Sequence, residues 1–76
     1  MFSMSIRPEV LKSLREQYPA GTKVELVEMN DPYRHMPKGL KGVVQHVDDA
    51  GGIHIRWENG SSLAAIHGFD IIRKCE

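Results

Sequence analysis

The sequence predicts a mainly β domain, a small five-stranded barrel preceded by one short N-terminal α-helix, and three observations carry that prediction. Apolar and polar residues alternate through Ile53-His54-Ile55-Arg56-Trp57-Glu58, the period of a strand with one buried face. A Gly-rich stretch ending in Gly51-Gly52 and then an Asn59-Gly60 pair punctuate the apolar runs at hairpin spacing. Finally, several short strands joined by close turns cannot cover their edges as a flat sheet, whereas a bent, closed barrel can. A chain of 76 residues has room for one such domain, with the helix over about residues 7–18 and the barrel over about 21–75.

The helix comes first. Pro8 suits an opening helical turn, and Glu9 sits where the dipole favours an anion. Val10, Leu11, Leu14 and Tyr18 recur at spacings of three and four, leaving Lys12, Ser13, Arg15, Glu16 and Gln17 on the other side. Pro19 ends the run, because the residue before a proline avoids helical geometry. About three turns are marginal alone, so the apolar stripe needs a surface. Its own barrel is the expected one, with self-association or a partner as the alternative.

Residues 22–29 read as the first strand, with Val24, Leu26 and Glu28 on one face and Glu25, Val27 and Met29 on the other. The segment from Asn30 to Gly39 is a polar loop holding Pro32 and Pro37, the kind of connection where binding residues collect. Residues 42–48 and 53–58 form the second and third strands. Val44 and Val47 cannot both face inward in a regular strand, so a bulge is expected near Gln45-His46. Asn59-Gly60 predicts a two-residue hairpin turn into a strand over 61–66. His67 to Asp70 then form a one-turn connector, and Ile71 to Lys74 a last short strand.

Ten basic and ten acidic residues cancel, which argues against a polyanion-tracking protein, whose affinity comes from a basic excess. The single cysteine, Cys75, cannot staple the fold, as suits a reducing cytoplasm. No apolar stretch approaches the ~20 residues of a membrane span, and Met1 to Pro8 lack the pattern of a signal peptide. A cytoplasmic protein with no membrane partner is therefore expected.

Several segments resemble a known family: Gly21 to Met29, Asn30-Asp31-Pro32-Tyr33, Pro37-Lys38-Gly39 leading to Gly42-Val43-Val44, Val47 to Gly51, and Arg56 to Leu63. Together they look like a DUF4314-like family of small domains of unknown function, found in bacteria, their phages and conjugative elements. The resemblance covers roughly residues 15–74 and implies an SH3-like barrel. It carries over no activity and no catalytic residues. It implies an accessory protein of mobile DNA, a setting where small proteins often block or sequester host components, including those of defence.

The candidate sites follow from residue chemistry. Tyr33, Arg34 and His35 at the loop tip, with Arg56 and Trp57 from the third strand, combine aromatic and basic groups of the kind that grip peptides or single-stranded nucleic acid. By the alternation, Trp57 points inward and serves the core instead. Lys38 and Lys41 lie beside Gly39 and Gly42, whose amides an anion can approach, and with Arg34, His35, Arg56 and His67 they are the phosphate-contact candidates. Gly39-Leu40-Lys41-Gly42 has the spacing of a KH-type loop but leads into a strand rather than joining helices.

Pairing of the second and third strands brings His46 towards His54, yet no ligand spacing for zinc is present, and no metal or other cofactor is expected. Ser61, Ser62, His67 and Asp70 are residue types of a hydrolytic triad without a nucleophile elbow, so no catalytic residues are assigned and a non-enzymatic role is expected. Two functions remain open. One is a binding module that recognises a protein or nucleic acid through the 30–41 loop and adjoining strands. The other is a homo-oligomer that sequesters a small phosphorylated or cyclic-nucleotide ligand between subunits.

Overall fold

A computed structural model describes residues 6–29 and 36–75. Helix α1 spans Pro8–Gln17, within one residue of the expected bounds at each end. Arg7, in extended backbone, precedes Pro8 at the first helical turn, and Tyr18 closes the helix by donating its N–H to the Leu14 carbonyl at 2.8 Å. The stripe docks on the chain's own sheet: Leu14 is buried, and Val10, Leu11 and Tyr18 pack against the same core.

Five strands follow: β1 Lys23–Glu28, β2 Lys41–Val47, β3 Gly52–Trp57, β4 Ala65–Ile66 and β5 Ile71–Lys74. They form one antiparallel sheet in the order β4-β3-β2-β1-β5. The expected bulge is present, since the β2–β3 register shifts between Val44 and His46. The extra residue, Gln45, lets both Val44 and Val47 turn inward.

Inward residues of β1, β2 and β3 make the core with Leu14 and Ala65, and Trp57 is the largest of them at 1% exposure. Its indole N–H donates to the Leu63 carbonyl at 2.8 Å, so the ring's polar atom is satisfied inside. Gly42 lies opposite Trp57 in the register. A Cβ there would come within 2.9 Å of both Trp57 Cε3 and the Arg56 carbonyl oxygen, so glycine is what lets the indole lie against β2.

Two sequence expectations change. Asn59-Gly60 does not form a two-residue hairpin. That turn needs positive φ at both residues, but among the described residues only glycines adopt it, Gly60 at +87°. The turn instead runs from Trp57 to Gly60, with the Gly60 N–H on the Trp57 carbonyl at 3.0 Å and the Trp57 N–H on the Ser61 carbonyl at 2.9 Å. The strand expected over 61–66 then shortens to Ala65–Ile66, because the Leu63 carbonyl serves the indole rather than a ladder.

The second change concerns closure. The sheet is barrel-like but open between β4 and β5. The reason lies in Ile66, whose N–H donates to the Asp70 carboxylate at 2.9 Å. Its carbonyl accepts the N–H groups of Phe69 and Asp70, at 3.0 and 2.9 Å. Both backbone groups of that residue are thus engaged in the connector and cannot bond β5. Helix α1 lies beside this seam, with Val10, Leu14 and Tyr18 facing Ile66, Ile71 and Ile72 across an apolar groove.

Candidate cationic face on the outer side of the sheet

Alternation places Lys23 and Glu25 on the outer side of β1, Lys41 and Val43 on that of β2, and Arg56 on that of β3. The register then decides which of them meet. Lys23 pairs with Val43, and Val43 with Arg56, so one row crosses three strands as cation, valine, cation. Lys41 stands one step along, opposite Glu25. A shallow groove runs here, and Lys23, Lys41, Val43, Arg56, Trp57 and Glu58 are among the residues that line it. Val43 remains 37% exposed at its centre.

The charges are unevenly matched. Glu25 is held by Arg73 of β5, Asp49 by Arg15 at 2.7 Å, and Asp48 by His54 at 2.7 Å. Among the described residues, Lys23, Lys41 and Arg56 form no ion pair. Lys23, Lys41 and Arg56 outnumber the carboxylates that share this face, Glu25, which is held by Arg73, and Glu58, so a chain with no net charge carries a local positive excess here.

The expected site residues divide. Lys41 and Arg56 come together in this groove. Lys38 is exposed in the turn before β2 and does not line it. His67 is exposed in the β4–β5 connector, its N–H near the Gly51 carbonyl at 3.4 Å, beside α1 rather than the cationic face. Trp57 is in the core, so its ring offers no open face for stacking. Tyr33, Arg34 and His35 lie outside the described residues. Sequence reasoning missed Lys23, read there only as part of a strand. Its alignment with Arg56 through Val43 was recoverable only from the register of two separate strand pairings.

The β2–β3 turn holds the other polar cluster. His46 and His54, opposite each other in the register, stack with centroids 4.3 Å apart and planes 10° from parallel. Asp48 Oδ1 accepts the N–H groups of Ala50 and Gly52 at 2.9 and 2.8 Å, while Oδ2 contacts His54 Nε2. The bond to His54, then that from the Gly52 N–H, hold the Asp48 carboxyl below its ordinary value of 3.8. Arg15 donates to the Val47 carbonyl at 3.2 Å and to Asp49, tying α1 to the same turn. Each polar atom named here has a partner within the fold, which makes the cluster a fastening of helix to hairpin. Among the described residues, no group of three or more His, Cys, Asp or Glu side chains is arranged to hold a metal ion, and no helix is long and apolar enough to cross a membrane.

A family model described as a domain of unknown function (DUF4314) matches residues 7–75, so the chain belongs to that family. No curated protein and no solved structure gives a match.

Proposed function

We propose that this family member is a non-catalytic binding module, an SH3-like barrel by kind, which docks an anionic macromolecular partner on the outer face of β1–β3. The observation that carries the reading is the row Lys23–Val43–Arg56 with Lys41 beside it, three cations that form no ion pair among the described residues, around an exposed valine. An apolar centre within a charged rim is the anatomy of a recognition surface, and unpaired cations give it both attraction and steering. The antiparallel order β4-β3-β2-β1-β5, bent round a central tryptophan, supports the SH3-like assignment. The segments that resemble a family of phages and conjugative elements support an accessory role in mobile DNA, with a host defence protein as one such partner.

The test uses an anionic probe of no biological specificity. Amide shifts of the 15N-labelled chain are followed as poly-glutamate is added at low ionic strength. The expected changes centre on Lys23, Lys41, Val43 and Arg56 and fade as salt rises towards 0.5 M, where screening acts within a few ångströms. Changes centred on the β2–β3 turn or on the α1 groove would overturn the reading.

A further inference from the structure

We infer that the partner of this face is a protein, and that it presents an acidic amphipathic helix laid across β1, β2 and β3 with an aliphatic side chain seated on Val43. The inference rests on the docking reading above and adds the partner's chemistry and shape.

Spacing comes first. Neighbouring strands lie about 4.8 Å apart, so Lys23 and Arg56 stand about 10 Å apart across the sheet with Val43 midway. On an α-helix, positions i and i+7 are separated by about 10.5 Å along the axis, with i+3 or i+4 near the midpoint. A helix reading acidic, aliphatic, acidic at those positions matches the row residue for residue. On an extended peptide, same-face residues recur every ~6.8 Å, so the same three side chains would span about 13.6 Å and overshoot. Long lysine and arginine stems absorb part of such an error. Val43 is short, and its contact fixes the centre.

Composition comes second. Surfaces that bind single-stranded nucleic acid stack bases on aromatic rings. Among the described residues, the one aromatic side chain lining this groove is Trp57, which is 1% exposed with its N–H engaged by Leu63. Glu58 also lines the groove. A continuous phosphate chain passing Arg56 would meet that carboxylate, whereas a helix can place a neutral or donor side chain there. Lys41, one same-face step from Val43 along β2, lies to one side of that helix at the level of its centre, within reach of an acidic residue on the flank of the central turn.

The experiment compares three labelled probes by fluorescence anisotropy on the full chain at low salt. One is a peptide of the pattern Glu-x-x-Leu-x-x-x-Glu repeated over about 18 residues; the second has the same composition but prolines that keep it extended; the third is a single-stranded oligonucleotide of equal charge. The first is expected to bind tightest and to gain helical circular dichroism on binding. Val43→Asp and the pair Lys23→Glu with Arg56→Glu should each weaken it at least about tenfold, since they place repulsion at the centre or the rim. Lys12→Glu, on the exposed side of α1, should leave it unchanged, and the melting curve of each variant confirms that it is folded. Equal binding of the extended peptide, or tighter binding of the oligonucleotide with no effect of Val43→Asp, overturns the helix and leaves the docking face standing. An equal response to Lys12→Glu and to the Lys23–Arg56 pair overturns the face itself.

Discussion

Asp48 serves three donors at once, the N–H groups of Ala50 and Gly52 and the ring of His54. Its carboxyl is held below the ordinary 3.8 in the folded chain. A depressed folded value means the charged form stabilises the fold above the unfolded pKa, and that contribution disappears as pH falls through the folded one. Stability should therefore fall on acidification below about pH 4. Asp48→Asn should be less stable by about 1 kcal/mol at neutral pH and should lose part of that acid limb. Urea midpoints between pH 2 and 7 measure both; an unchanged acid limb in the variant would detach Asp48 from the effect. Much at this scale was legible in advance. His46 and His54 were expected to approach, and Trp57 to point inward, because both follow from strand period and pairing. The role of Lys23 was not, because it depends on two registers at once.

At the scale of elements, α1 is fastened in two ways, by the burial of Leu14 and by Arg15 reaching the Val47 carbonyl and Asp49. Packing should dominate, since the Arg15–Asp49 pair is largely exposed and such pairs contribute about 0–1 kcal/mol. Leu14→Ala should cost about 2–4 kcal/mol in chemical denaturation, and Arg15→Ala under about 1. Comparable losses would mean that charge, not the apolar stripe, holds the helix. That stripe was plain in the spacing of Val10, Leu11, Leu14 and Tyr18, and the bulge at Gln45 in the clash of Val44 with Val47. The length of β4 was hidden, because it turns on where the Leu63 carbonyl goes, a tertiary choice made by the indole.

Taken whole, helix and sheet share one core: Leu14 belongs to the same buried cluster as Trp57. Unfolding should therefore be a single transition, with helical circular dichroism and tryptophan fluorescence tracing the same curve. A fluorescence change that lags behind the loss of helix would show α1 to be a separate cooperative unit. Closure was the expectation that the whole molecule did not meet, and it failed at Ile66, where the Asp70 carboxylate and the turn amides engage the backbone of β4. The same bonds bear on crowding. A strand whose amide and carbonyl already answer to its own corner presents little template to a neighbouring chain, so edge-to-edge fibril growth from that side is resisted without a single closing bond.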